Sequence, residues 1–504
     1  MRWTAGQIAE ALGVARPEGL AAVAGVAGVS IDSRTVAAGE LFVAIHGASH
    51  DGHSFVAGAF DRGAVAAVVA GNRAAGLVSE IGPEIAKKLY VVVDTLDGLH
   101  RLAARACEIW RAAKPGRRIG GVAGSVGKTT TKEIFAALLG ARMRVLKTLG
   151  NLNNEYGLPL TLLKLDEEHD AAVIEMGMSH PGELARLTKI ARPDVGVITR
   201  IAVEHLEFFA SIDEIALAER ELIEHLPWPK ATAVLNSGDE RVAKMKEVAH
   251  GDVLWFDATG GASSKREARV FRAENIEERG LAGTSFDFVW PEGHRRLDLA
   301  LIGRHNVMNA VAALAAASVW GIGAAEAAEV FPEMVPADKR GEVVAFEAGF
   351  TVINDSYNSS PTALDSVAQL LAATPGFKRR ILAAGEMREL GGSSAELHRD
   401  CGRVIAALGK IDWLVGVNGD AAELVRAAVD AGFPKERTKF FLDSKEAGAY
   451  LTGFVAPGDV LLLKGSRGVK MEKILEAIDA SHARVPASSA AKSKTPVEST
   501  VKKG

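Results

Sequence analysis

The stretch GVAGSVGKTTTKEIFAALL, opening at Gly121, sets Gly121, Gly124 and Gly127 three residues apart, ahead of a Lys–Thr–Thr triplet and an Ala/Leu-rich helical run. Glycine lets successive backbone N–H groups curl around phosphate oxygens, and the helix that follows adds its positive dipole end. Lys128 is placed to reach β/γ-phosphates and the Thr129 hydroxyl to ligate Mg²⁺. The strict GxxxxGK[ST] spacing would need glycine where Val122 stands, so this is a variant phosphate loop. An ordinary glycine-rich strand–helix turn is the other reading, but GKTT at a helix start favours ATP. Gly124, Ser125, Gly127, Lys128, Thr129 and Thr130 are the expected ATP-binding residues of the loop.

Other chemistry-bearing residues fall where α/β sheets bind ligands, at the carboxyl ends of apolar runs. Glu175 ends AAVIE, and His205 follows VGVITRIAVE. A strand-end surface carboxylate and a structural histidine are the plain alternatives. Asn306 and Asn309 open the helical run NVMNAVAALAAA, where an asparagine either caps the helix or faces a ligand. Lys464, Ser466 and Arg467 follow the last apolar run as a phosphate or substrate contact, or as a solvated basic turn.

These residues need elements to hold them, and the chain supplies three blocks. Residues 1–115 carry short strand-like runs (ELFVAIHG, AVAAVVA, YVVVDT) alternating with helical ones, and read as a small α/β domain. KPGRR, from Lys114, reads as a linker. Residues 116–333 follow the phosphate loop with AAVIEMG, VGVIT and ATAVLN, continuous apolar runs that predict a mostly parallel βαβ sheet. From about Arg269 to Leu301 the pattern becomes alternating, which predicts a few antiparallel strands. FPEMVPADKR reads as a second linker. Residues 334–480 repeat the strand–helix rhythm five times without GxGxxG, predicting a Rossmann-like sheet that takes no dinucleotide. Residues 481–504, rich in Ala, Ser, Lys and Pro, are expected to be a disordered tail.

Length and composition agree: 504 residues imply several domains, and 48% apolar residues suffice for packed cores. A net charge of -4 argues against a nucleic-acid binder. Cys107 and Cys401 stand far apart, outside any CxxC, which suits a reducing cytoplasm. No apolar run is long enough for a signal peptide or a membrane span.

The spacing GxxGxxGKTT resembles that of the Mur ligase superfamily. GNLNNEYGLPLTLL, EMGMSHPGELARL, GRHNVMNAVAALA, INDSYNSSPTAL, GEMRELGGSSAELHRDCG and LLLKGSRGVKMEKI resemble segments of its MurF type, and SIDSRTVAAGELFVAIHGASHDGHSF resembles the UDP-binding domain of MurE and MurF. The likeness spans roughly residues 4 to 478. It implies three domains that hold a UDP-sugar, ATP and the incoming amine. It also implies a monomeric cytoplasmic ligase joining UDP-MurNAc-tripeptide to D-Ala-D-Ala with ATP and Mg²⁺. Lys128, Glu175 and His205 would then be catalytic, with Thr129, Glu175 and His205 at the metal. Asn306, Asn309, Arg340 and Asp355 would contact ATP. Asn153, Asn154, Tyr357, Asn358, Lys464 and Ser466 would contact substrate, with Ser33 and Arg34 at the UDP end or in a plain turn. His398 belongs to the resemblance, with helix packing as its alternative.

Many relatives carry a carbamylated lysine on the helix after the metal histidine, where this chain has Glu219. Ile212, Ile215, Glu219, Leu222 and Leu226 form one stripe, so the carboxylate needs a cation, a metal or another partner. Either it replaces the carbamate at the metal, or it pairs with Arg220 or a neighbouring helix. MurE usually carries a DNPR-like signature, absent here, and folylpolyglutamate synthase lacks the N-terminal UDP-binding domain. A phosphate-loop NTPase without ligase activity is the rival from another class.

Overall fold

A computed structural model describes residues 3–47, 50–258 and 270–486. The buried apolar runs form three mostly parallel sheets, and Trp3–Thr4 with Gly25–Val26 adds a two-stranded ribbon. In the first block Val29–Ser30, Leu41–Val43, Ala66–Ala70 and Leu89–Val92 pair in that order, all parallel.

The central sheet has nine strands. Arg118–Ala123, which leads into the phosphate loop, lies between Ala171–Glu175 and Val195–Ile198, parallel to both. Every residue of Ala171–Glu175 and Val195–Ile198 is buried, as expected for strands covered on both faces. Helix Lys128–Gly140 packs on this sheet and against helix Arg304–Ser318, whose many alanines allow close approach. The alternating stretch forms antiparallel strands Val270–Glu278, Thr284–Trp290 and Gly293–Leu299, joined to the same sheet rather than set apart.

The third sheet has six strands. Thr351–Asp355, Asp459–Lys464, Arg379–Gly385, Trp413–Val417 and Thr438–Phe441 run parallel, and Glu342–Ala345 adds an antiparallel edge. Helices cover both faces, giving two separate apolar clusters.

Two connections differ from the sequence reading. KPGRR is pinned rather than loose: Arg117 is buried, donates to the carbonyls of Trp110 (2.7 Å) and Glu167 (2.6 Å), and stacks on the Trp110 ring. The helix before it, Thr95–Ala113, buries Leu99, Leu102, Cys107 and Trp110 in one cluster with Leu158, Leu162, Leu184 and Leu187 of the central block. The first two blocks therefore share a core. At the other end, Ser481 to Pro486 are ordered, although the expected tail begins at Ser481. Their backbone meets the edge strand: Val485 N–H donates to the Ala345 carbonyl and Glu347 N–H to that of Ala483, both at 2.9 Å. An edge strand offers unpaired backbone groups, and the chain end takes them. The rest of the expected tail, 487–504, lies outside the described residues. Among the described residues, no helix is long and apolar enough to cross a membrane.

Candidate active site

The phosphate loop is shaped by its neighbours as much as by its glycines. Gly124 and Gly127 adopt φ of +116° and +94°, and a Cβ on either would sit 2.3 Å from Thr199 Oγ1 or Asn309 Oδ1 respectively. Only glycine meets both demands. Ser125 N–H donates to the Arg200 carbonyl (2.7 Å), and Thr199 Oγ1 donates to the carbonyl of Val126 (2.7 Å). Beneath the loop, Glu219 Oε2 accepts from Gly124 N–H at 2.7 Å.

This contact settles where Glu219 sits. It is 1% exposed and lies behind the loop, not on the cavity wall. Its partner is a backbone N–H, while Arg220 pairs instead with Glu224. Burial pushes the Glu219 carboxyl up to about 7, against the pull of Lys128. Among the described residues no three His, Cys, Asp or Glu side chains group as a metal site, and the bond that Glu219 makes is the one to the loop backbone.

Above the loop lies a cavity of about 1250 Å³ between the central and third blocks. Of the expected residues, Ser125, Gly127, Lys128, Thr129 and Thr130 line it, as do Asn153, Asn154, Glu175 and His205. From the far side come Asn306, Asn309, Arg340, Asp355, Tyr357, Asn358, Lys464 and Ser466. Ser33 and Arg34 lie elsewhere, in the turn after Val29–Ser30. Arg34 there forks onto Asp32 (2.9 and 2.8 Å) and holds the Asp32 carboxyl near 2, as a self-contained turn would.

Lys128 donates to the carbonyls of Gly124 and Ser125 and lies 3.6 Å from Glu204 Oε1. Burial works to lower its pKa, but Glu204, Glu219 and Glu175 outweigh it and keep the ammonium charged. His205 has φ +52°, and its Nδ1 lies 2.6 Å from Glu389 Oε2 of the third block. Burial again lowers, and Glu389 with Glu204 prevails, so His205 is held above its usual range. Glu175 Oε1 accepts from Asn153 Nδ2 at 2.8 Å. Glu175 Oε2, Glu204 Oε1 and Ser125 Oγ are buried without a hydrogen-bond partner. Hard oxygens without a hydrogen bond beside a phosphate loop are the donor chemistry Mg²⁺ takes, so the residues fit that ion.

Asn306 is not an N-cap. It lies inside helix Arg304–Ser318, where its amide donates to the Ile302 carbonyl (2.9 Å) and its oxygen accepts from Asn309 Nδ2 (3.0 Å). On the third block, Lys464 is buried, pairs with Asp355 at 2.8 Å and donates to the Asn358 carbonyl. Ser466 Oγ accepts from Arg388 N–H at 2.9 Å. A solvated turn thus describes neither Lys464 nor Ser466, though Arg467 is exposed. Tyr357 lies beneath two guanidinium groups, those of Arg340 (4.3 Å to the ring centre) and Arg467 (5.6 Å). His398 is structural: buried, with Nδ1–H to the Ser394 carbonyl (2.8 Å) and Nε2 accepting from Met387 N–H (2.9 Å), it anchors the segment that carries Glu389.

Sequence reasoning missed Glu204, Glu389 and Lys132. Glu204 could have been found from its place beside His205 at a strand end; the other two depend on partners distant in sequence.

Three family descriptions match in order: "Mur ligase family, catalytic domain" over residues 25–109, "Mur ligase middle domain" over 122–317, and "Mur ligase, glutamate ligase domain" over 339–467. The UDP-N-acetylmuramoyl-tripeptide--D-alanyl-D-alanine ligase of Bacillus subtilis is 34% identical over 89% of this chain and 92% of its own length. MurF from Acinetobacter baumannii superposes with a TM-score of 0.81 at 29% identity, covering 95% of this chain and 99% of that one. The MurF ligase of Thermotoga maritima in complex with ADP gives 0.73 at 27%, covering 90% and 97%. With a phosphate loop, strand-end carboxylates and a third block facing them in the order these relatives share, the chain belongs to the Mur ligase family.

Proposed function

We propose that this protein is an ATP-dependent ligase that joins D-alanyl-D-alanine to UDP-N-acetylmuramoyl-tripeptide in peptidoglycan precursor synthesis. The observation that carries the reading is one cavity lined from one side by Lys128, Thr129 and Thr130 and from the other by Tyr357, Asn358, Lys464 and Ser466. The relatives' names supply the substrates.

A carboxylate is a poor acyl donor. Transfer of the γ-phosphoryl group to the tripeptide carboxylate gives an acyl phosphate and ADP. The dipeptide amine then attacks, a tetrahedral intermediate forms, and phosphate leaves as the amide is made. Phosphoryl transfer needs positioning and charge neutralisation more than covalent help. Lys128 supplies a fixed cation at the phosphates, and Asn306, Asn309, Arg340 and Asp355 hold the rest of the nucleotide. Thr129, Glu175 and His205 would hold Mg²⁺, with Glu204 beside them. When bound, Mg²⁺ spreads positive charge over the phosphate oxygens. Asn153 and Asn154 take the tripeptide arm, Ser33 and Arg34 the UDP end. Lys464, Ser466, Tyr357 and Asn358 orient the incoming dipeptide.

The reading places the enzyme in the cytoplasm as a monomer. Two buried free thiols, Cys107 and Cys401, accord with a reducing compartment. The test is phosphate release from ATP with UDP-MurNAc-tripeptide, comparing D-Ala-D-Ala with single amino acids. Release stimulated by the dipeptide alone is expected; stimulation by a single amino acid, or release indifferent to any acceptor, would refute the assignment.

A further inference from the structure

Lys132 lies one turn beyond Lys128 on the same helix, yet it is 0% exposed and does not line the cavity. An ammonium so buried must be paired and hydrogen-bonded. Its Nζ donates to the Thr148 carbonyl (2.7 Å), pairs with Glu133 Oε1 (2.7 Å) and lies 3.8 Å from Glu175 Oε2. Glu133 does not depend on it, because Lys147 pairs with the other Glu133 oxygen. Glu175 does depend on it. Its N–H donates to Thr148 Oγ1 (2.9 Å) and its Oε1 accepts from Asn153 (2.8 Å). Its Oε2 is buried with no hydrogen bond, and Lys132 is the cation paired with it. Thr148 thus bonds both Lys132 and the backbone of Glu175.

We propose that Lys132 is a positioning residue that acts from behind the site. It supplies the opposite charge that holds the Glu175 carboxylate at the end of its strand, aimed into the cavity for a divalent cation. The proposal rests on the reading of Glu175 as a Mg²⁺ ligand. Partners behind a ligand commonly change metal affinity 10–100-fold when removed. Lys132→Met keeps most of the stem and leaves Glu133 paired with Lys147, so the charge opposite Glu175 is the main loss.

The experiment follows binding of a fluorescent non-hydrolysable ATP analogue to the full chain as Mg²⁺ is titrated, and again in EDTA. Lys132→Met is expected to raise the Mg²⁺ midpoint about tenfold while binding in EDTA stays as in the wild type. A wild-type midpoint overturns the proposal. The pair Glu175→Gln and Lys132→Met/Glu175→Gln covers the case in which Lys132→Met fails to fold, since the double variant removes both charges. These two should share one midpoint, because Lys132 acts through Glu175; a further shift in the double variant overturns it. An unchanged midpoint in Glu175→Gln itself removes the ligand reading and the proposal with it, whereas a shifted one beside a normal Lys132→Met defeats the positioning role alone.

Discussion

Lys128 and Glu219 both bond to the backbone of the phosphate loop, with opposite consequences for substitution. Lys128 is the cation that three carboxylates keep charged beside the phosphate site. Lys128→Ala is expected to lower ligation at least about 100-fold, as loss of a preorganised charge at a transferring group does, with an unchanged circular dichroism spectrum. Near-normal phosphate release by that variant would contradict the phosphate-loop assignment. Glu219 carries a cost. Its carboxyl is raised from 4.5 to about 7, so the folded state holds a proton that the unfolded state releases earlier. Its stability contribution is fully present below 4.5 and is lost as pH rises through about 7. Glu219→Gln keeps an acceptor for Gly124 N–H without that loss. Its stability relative to wild type should improve by roughly 3 kcal/mol between pH 4.5 and 8 in denaturant titrations; a pH-independent difference would contradict this. The loop was legible in the sequence because its glycines, lysine and threonines are contiguous. That Glu219 needs a partner was legible too, from its apolar stripe. The backbone partner was not, because a backbone N–H has no letter.

At the scale of elements, the segment from Gly385 to Gly391 is what brings the third block to His205. Glu389 has φ +64°, its side chain meets His205, and its carbonyl accepts from Glu207 N–H at 3.2 Å. His398 holds this segment only when neutral, since Nδ1 donates and Nε2 accepts. Burial accordingly lowers its pKa from 6.5. Stability from His398 is therefore complete above about pH 6.5 and is lost as pH falls from there through the lower folded value. His398→Phe should cost about 1–3 kcal/mol at pH 7.5 by leaving Met387 N–H unpaired, and the gap to wild type should narrow at pH 5. A gap of constant size would show that His398 serves by packing alone. The strands were readable as apolar runs. The segment was not: its backbone bond to Glu207 and its side-chain pair with His205 arise from tertiary contact between stretches about 180 residues apart.

Across the whole molecule, the three-block pattern was visible in changing periodicity and composition, and both Pro-containing stretches looked alike as linkers. They differ because Arg117 is drawn into the core by Trp110 and by two carbonyls, which a rule based on Pro and Gly does not register. The chain end was misjudged for a related reason: Ala, Ser and Lys predict little packing, yet an open sheet edge accepts any backbone. Removing residues 487–504 should leave the melting temperature unchanged. Removing 481–504 should lower it by several degrees, because His482 then no longer packs edge-on against Phe350 (5.1 Å) and Arg484 no longer pairs with Asp479 (2.6 Å). Equal melting temperatures for the two truncations would mean that residues 481–486 contribute nothing.

The core shared by the first two blocks also decides where this gene can be cut and rejoined. Helix Thr95–Ala113 is half of an apolar contact whose other half lies in Leu158, Leu162, Leu184 and Leu187. A hybrid that takes its first 115 residues from a distant relative inherits two mismatched halves, whereas one spliced between Pro332 and Pro336 exchanges a block with its own sheet, one apolar cluster wholly its own and a second to which the central block adds only Ile302, Val203 and Leu281. Recombinants joined at the second position should be recovered soluble and those joined at the first should aggregate, so the inherited cassettes are two although the main sheets are three.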